Sequence, residues 1–596
     1  VVKLVLFTKE DILFYMNTKN IPYMPMTRAE MDKLGWDELD ILLVTGDCYV
    51  DHPSYGVSLI GRMLLAQNYR VGIIAQPDWR DPDCMKKLGR PRIGAGVSSG
   101  NMDSMVNIYT AGRRLRREDA YSENGETGHR PPHALVVYTQ LVKRAFPGLP
   151  VMIGGLEASL RRIAHYDYWQ DKLRPSMLVD SKADILSFGQ GERSVTEIFR
   201  RMRDGEELGG IKGTAVLLGK NAAMKFDPQD KYRELPSWEE FNQNRDAIMQ
   251  ATKLVETTMG AFSQTGLFQR YGDRILVVEP PPEPLTTEEL DAVHDLPYYG
   301  GPHPAYKGRI PAFETIKHSI PAIRGCPGGC AFCGLVSHQG RYVTSRSHES
   351  IKSDVERISK RKDFRGTISD IGGAAGNIYM SEVKDKNRCA KCRRSSCLFP
   401  KICDNYKCDG LDLIQLLREV RSMPQVKHLY INSGIRLDLV LRQEELFREL
   451  IQHHVSGHMK LAPEHLHPTV LKYMRKSSAE EFFEVVRRFY EESAKCGKKQ
   501  YVIPLFISNF PGCGEKEMKV VDDFLNQNNW SPQQVQDYIP LPMTMGAAMY
   551  YTGKDPDGNP ITVNRGLKER RGQIQVLKRK RPGSRFLKSQ DKNSRK

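Results

Sequence analysis

A chain of 596 residues with 40% hydrophobic and 27% charged side chains exceeds what one core usually serves, and its composition excludes a fibre or a disulfide scaffold. No run approaches the roughly 18 to 20 apolar residues that span a bilayer, and the N-terminus lacks an export pattern, so a cytoplasmic protein outside the membrane is expected. The net charge of +16 is lopsided: Arg565 to Lys596 hold thirteen Lys or Arg against Glu569 and Asp591, leaving a nearly balanced body.

In chain order, Ile41 to Val44 reads as a buried strand, Gly56 to Asn68 as a helix and Val71 to Ala75 as a strand. His133 to Phe146 is helical, Val151 to Ile153 is a strand running into Gly154 and Gly155, Ile185 to Phe188 is a strand and Ser194 to Arg203 a helix. Strands alternating with helices predict a parallel sheet covered on both faces, with ligands at the strand C-terminal ends. Residues 1–205 are thus expected to form a Rossmann-like N-terminal domain.

Residues 206–310 read as a linking segment, with a helix from Trp238 to Met259 and a strand from Ile275 to Glu279 stopped by Pro280, Pro281 and Pro282. A second βα series fills 311–563. Its strands are Ile320 to Ile323, Thr367 to Ile371, His428 to Asn432, Met459 to Ala462, Tyr501 to Ile507 and Tyr538 to Leu541. Its helices include Ser347 to Lys360, Leu411 to Ser422, Glu444 to His453 and Ala479 to Cys496. Six strands with crossover helices predict a partial (β/α)6 barrel, its site at the strand C-terminal ends. Residues 564–596 read as a basic disordered tail, the one segment with an electrostatic attraction for nucleic acid.

Eight of the twelve cysteines lie between Cys326 and Cys408, which points to metal; Cys48, Cys84, Cys496 and Cys513 read as separate free thiols. Arg324-Gly-Cys-Pro-Gly-Gly-Cys-Ala-Phe-Cys333 puts three thiols in eight residues directly after a predicted strand. Thiolates select iron–sulfur clusters or zinc, and Gly325, Gly328 and Gly329 let the backbone wrap close to an anionic group. Three ligands would leave one iron of a [4Fe-4S] cluster open. Cys389, Cys392, Cys397, Cys403 and Cys408 supply five more thiols. An additional iron–sulfur cluster or a zinc ion would need about four of them, and the spacing does not say which; free thiols in an insertion, residues 389–408, are the alternative.

The C-x3-C-x2-C loop with Phe332 before its last cysteine resembles the signature of the radical S-adenosylmethionine (SAM) superfamily. The segments Val44-Thr-Gly-Asp-Cys-Tyr-Val-Asp-His-Pro-Ser-Tyr-Gly56, Ile74-Ala-Gln-Pro-Asp-Trp79, Pro280-Pro-Pro-Glu-Pro-Leu285, Leu296-Pro and His303-Pro-Ala-Tyr306 resemble its YgiQ family, which has no assigned reaction. The resemblance implies that Cys326, Cys330 and Cys333 hold a [4Fe-4S] cluster whose open iron takes the amino and carboxylate groups of SAM. Reduction by a donor such as flavodoxin or ferredoxin would then cleave SAM to a 5'-deoxyadenosyl radical. It also implies SAM contacts from Phe332 and from Gly372 and Gly373, although Ala374 stands where the family's Gly-Gly-Glu element has its acid. Ser433 and Arg436 stand where ribose or carboxylate contacts are expected, and Lys460 and Glu464 flank the next strand end.

Gly154-Gly-Leu-Glu-Ala-Ser159 and Gly189-Gln-Gly-Glu192 resemble the cobalamin-binding-type domain that often precedes such barrels, which makes cobalamin a candidate cofactor. Asp51 and His52 are adjacent, so the Asp-x-His-x-x-Gly element that supplies a cobalt ligand in one branch is missing. Two further functions compete with an enzyme of unknown substrate. One is methyl or methylthio transfer to RNA; the other is a metal-sensing iron–sulfur protein without turnover.

Overall fold

The computed structural model describes residues 21–532 and 534–581. A nine-stranded sheet organises the N-terminal half. Its strands are β1 (Ile41–Thr45), β2 (Val71–Ala75), β3 (Gly94–Ser98), β4 (Val151–Gly154), β5 (Ile185–Ser187), β6 (Thr214–Leu218), β7 (Tyr232–Glu234), β8 (Gly266–Tyr271) and β9 (Arg274–Val278), in the order β7-β8-β9-β6-β5-β4-β3-β1-β2. Strands β2, β1, β3, β4 and β5 are parallel, and antiparallel pairing begins at β5/β6. All five residues of β1 are buried, as expected of a strand covered on both faces. Register aligns Thr45 with Ser98 and Ser98 with Gly154, so these strand ends form one rim.

Strand β3 escapes sequence reading because Gly-Ala-Gly-Val-Ser has little intrinsic preference for a strand. Packing decides it: a Cβ on Gly96 would lie 2.9 Å from Leu43 Cδ2 and 3.2 Å from Met152 Cε.

The expected linking segment is corrected. Strands β6 to β9 lie inside 206–310 and extend the first sheet, so the N-terminal unit does not stop at residue 205. The expected helix from Trp238 to Met259 is two, Trp238–Gln243 and Ala247–Thr258, because Asn244 turns extended and its Oδ1 accepts the Asp246 N–H at 2.9 Å.

The second half builds an open parallel barrel from β10 (Ser319–Pro321), β11 (Thr367–Ile368), β12 (Asp370–Gly372), β13 (His428–Leu429), β14 (His458–Glu464), β15 (Tyr501–Ser508) and β16 (Gln534–Asp537). Strand β10 pairs with β12, β11 with β13, β14 with β15 and β15 with β16, all parallel, and an Ile435–Leu461 bridge joins the two halves. Counting β11 and β12 as one interrupted strand gives the six expected, in sequential order. The last was expected at Tyr538 to Leu541 and lies just upstream; Pro540 and Pro542 have no N–H to pair there. Ala479–Lys495 shows why its helix forms: Ser478 and Glu481 make a capping box, and Phe482, Val485 and Phe489 recur on one buried face.

The disordered tail is also corrected over its first part. Leu567–Lys578 is a helix with Arg570, Gln573 and Leu577 buried. Gln573 accepts from Asn509 N at 2.8 Å and donates to the Cys513 carbonyl at 2.8 Å, while Arg570 pairs with Asp537 at 2.9 Å, so the helix closes the ends of β15 and β16. Residues 582–596 lie outside the described residues, as do 1–20. Among the described residues no helix is long and apolar enough to cross a membrane.

Candidate functional site

After β10 the chain reaches Gly325, whose φ of +91 and close approach to the Tyr342 carbonyl leave no room for a Cβ. The three-cysteine loop that follows is tied on several sides. Cys326 N donates to the Gly340 carbonyl at 3.1 Å, Ala331 N to Met474 at 3.1 Å, and Gly546 N to Ala331 at 2.7 Å. Burial pushes the Cys326 thiol up, opposed by the positive charges of Arg436 and Lys476. Burial, with Cys330, Cys326 and Glu464 adding negative charge, pushes Cys333 up to about 12.

Arg436 stands over this loop. Its Nη1 lies 3.7 Å from Cys330 Sγ, and Nε is held by Asp438 at 3.0 Å. Asn377 fixes the backbone beneath it, accepting from Arg436 N at 2.9 Å and donating to its carbonyl at 3.1 Å. Three thiols on one glycine-rich loop beneath a guanidinium have the chemistry to hold an anionic iron–sulfur cluster. Among the described residues no three His, Cys, Asp or Glu groups converge tightly enough to grip a single ion. A four-iron cage spreads its thiolates apart and does not ask for that convergence.

The other sequence-predicted residues divide. Gly372 lies against the Ser433 hydroxyl, and that hydroxyl donates to Asp370 Oδ2 at 2.5 Å. Asp370 also accepts from Asn432 N at 2.8 Å and Ser433 N at 3.1 Å; burial raises its pKa, with these bonds and Lys460 opposing. Burial likewise raises Glu464, opposed by Lys476, whose Nζ is 3.8 Å away. Phe332 meets Phe510 edge-on, with ring centres 6.4 Å apart. Gly373 turns away from Ser433 and packs on Ile323, and with Ala374 it borders the N-terminal sheet.

Sequence reading missed Asp370, Asp438 and Lys476. Asp370 shares a strand face with Gly372 at a spacing of two, which was a usable signal. Lys476 arrives from a loop after another helix, and nothing local announced it.

The two glycine-rich segments of the first sheet meet the barrel here. Ser159 Oγ lies 2.9 Å from His338 Nδ1 and accepts from Gly189 N at 3.0 Å, while Arg324 bonds Glu192 and, at 3.3 Å, Gln190. A cavity of about 130 Å³ reaches Cys330 and Cys333 from this seam. A larger one, about 540 Å³, lies on the strand-end rim among Thr45, Ser98, Gly154, Gly155, Ser187 and Gly373. Asp51 is bound to Arg62, and burial holds His52 near a pKa of about 3 while its Nδ1 accepts from Ser54 N at 3.1 Å. Both are committed to the fold.

The "Radical SAM N-terminal" family model matches residues 23–319 and the "Radical SAM superfamily" model residues 320–509. A UPF0313 protein of Geobacter sulfurreducens is 46% identical over 559 residues, covering 93% of this chain and 92% of the relative. One of Rhodopseudomonas palustris is 44% identical over 580 residues, covering 93% and 86%. Among solved structures, the radical S-adenosylmethionine methyltransferase TsrM of Kitasatospora setae aligns over 90% of this chain and 88% of its own at 12% identity, with a TM-score of 0.47. That likeness is too slight to argue from.

Proposed function

This chain belongs to the UPF0313, or YgiQ, family of radical SAM proteins, and we propose that it is an enzyme that cleaves SAM reductively at a [4Fe-4S] cluster held by Cys326, Cys330 and Cys333. The observation that carries this reading is the three-thiol loop beneath Arg436, opening through Cys330 and Cys333 onto the cavity at the seam. When bound, the cluster supplies the electron that breaks the sulfonium bond and yields methionine and a 5'-deoxyadenosyl radical.

The chain's own residues supply binding and orientation. Gly372 leaves the room that the Ser433 hydroxyl fills, and Asp370 fixes that hydroxyl and takes the part of the acid that Ala374 lacks. Arg436, kept charged by Asp438, offers a cation for a carboxylate or the cluster, and Phe332 with Phe510 forms an apolar wall. Burial at the seam keeps water from a reactive radical. A flavodoxin or ferredoxin would supply the electron. None of the twelve cysteines is joined in a disulfide, which suits a cytoplasmic protein.

The rim cavity is the place for the second reactant or for cobalamin, which would sit there without a cobalt ligand from Asp51 or His52. Transfer to RNA is less favoured, because the helix Leu567–Lys578 of the basic segment packs on the barrel through Arg570, Gln573 and Leu577. The test is SAM binding to reduced, reconstituted protein, read as a change in its electron paramagnetic resonance spectrum. Asp370→Asn and Ser433→Ala should weaken binding at least about tenfold, in line with losing a charge-assisted hydrogen bond. Wild-type protein whose spectrum ignores SAM would refute the proposal.

A further inference from the structure

The insertion between β12 and β13 is built, not loose. Its neck is an antiparallel pair, Glu382–Val383 with Tyr406–Lys407. Asn405 locks that neck, accepting from Asp385 N at 2.9 Å and donating to the Asp385 carbonyl at 2.9 Å. Inside, Cys392 N donates to the Cys389 carbonyl at 3.1 Å and Cys403 N to the Cys397 carbonyl at 2.7 Å. Arg394 folds the intervening chain back by donating to the carbonyls of Ser396 at 2.9 Å, Phe399 at 3.0 Å and Lys401 at 2.6 Å.

Four sulfurs share this enclosure. Arg388 pairs with Asp404 at 2.7 Å, which brings together the chain neighbours of Cys389 and Cys403. N–H donors already point at the sulfurs: Asn405 Nδ2 is 3.1 Å from Cys389 Sγ, and Arg394 N is 3.4 Å from Cys392 Sγ. Cys408 is engaged elsewhere. Its Sγ accepts from Gln443 Nε2 at 3.2 Å and lies 3.5 Å from the Asn377 carbonyl, on the barrel side of the neck.

We propose that Cys389, Cys392, Cys397 and Cys403 bind a second iron–sulfur cluster, and that Cys408 is not one of its ligands. Four cysteine thiols held in one hydrogen-bonded enclosure with N–H donors on their sulfurs are the soft, anionic ligand set of an iron–sulfur cluster, and zinc in their place is an outcome the test below separates. The enclosure is fastened to the first loop: Cys397 N donates to the Pro327 carbonyl at 2.9 Å and Ser396 Oγ to the Gly328 carbonyl at 2.6 Å. The two sets are thus adjacent yet separate, and this proposal stands whether or not the first loop cleaves SAM.

The test is iron, sulfide and zinc per full-length chain after anaerobic reconstitution. Wild type should carry about eight irons, and a Cys326→Ser/Cys330→Ser/Cys333→Ser variant about four, with matching sulfide. Cys389→Ser/Cys397→Ser should lose about half the wild-type iron, and Cys408→Ser none. If the triple variant proves insoluble, the comparison of wild type with the double variant decides. About four irons in both of those proteins would overturn the proposal. So would one zinc per chain in place of the second iron complement, or equal losses in Cys408→Ser and Cys397→Ser.

Discussion

Ending the chain after Gly566 removes the helix Leu567–Lys578 and should unfasten the barrel's last strands. Leu577 is fully buried, and loss of such a side chain costs about 2–5 kcal/mol. Gln573 leaves with it, orphaning the Asn509 N–H at about 1–3 kcal/mol; the Cys513 carbonyl keeps its bond from Asn564 at 2.9 Å. Asp537 loses Arg570 and retains Asn509 at 2.7 Å. The total, about 3–8 kcal/mol, is a large part of the roughly 5–15 kcal/mol that holds a domain folded. A chain of this size does not melt as one unit, so the assay is amide hydrogen exchange in β15 and β16. Exchange there should quicken at least about hundredfold, since every 1.4 kcal/mol is tenfold. Tyr538 and Phe510 carry the loosening to Phe332, with ring centres 5.0 and 6.4 Å apart, so iron retention should fall as well. Gln573→Leu alone should cost about 1–3 kcal/mol, while Lys578→Ala on the exposed side should cost nothing measurable. Unchanged protection of both strands in the shortened chain would refute the reasoning.

Two further outcomes follow from the same region and from the cluster loop. His465 is buried with its Nδ1 accepting from His467 N at 3.0 Å, and burial with His467 nearby lowers its pKa to about 3. Its folded pKa lies below the unfolded value of about 6.5, so stability is intact above pH 6.5 and falls as the unfolded chain takes up the proton, by about 2 kcal/mol at pH 5. His465→Gln should flatten that acid dependence in denaturation followed between pH 7 and 5, and an unchanged slope would contradict it. Gly329→Ala forces a side chain at φ +59 into the Ser395 carbonyl, whereas Gly340→Ala, at φ +80, meets nothing within 4 Å. Iron analysis should therefore show a greater loss in the first variant, and equal losses would mean that backbone strain alone matters.

The parts of the fold legible in sequence were those where local pattern and packing agree. The apolar runs of β1 and β15 and the helix Ala479–Lys495 fall within a few residues of expectation. Where tertiary contacts decide, the reading failed: glycine-rich β3 is a strand because its neighbours fill the space, and the basic helix Leu567–Lys578 is ordered by Gln573 and Leu577, residues a charge count passes over. The three-cysteine loop was visible because its three thiols are close in sequence. The surroundings were not, since Asp370 comes from a strand, Asp438 from a short helix and Lys476 from the loop after another helix. Spacing alone does not reduce five cysteines to four; the division proposed above rests on the bonds of Cys408 to Gln443 and Asn377.

The most direct test of the central claim is formation of 5'-deoxyadenosine from SAM by reduced, anaerobically reconstituted protein, measured beside Cys330→Ala. The account predicts turnover in the wild type and its complete loss in the variant, because two thiols of that loop cannot hold a cluster with one open iron. Equal 5'-deoxyadenosine from both proteins would contradict it.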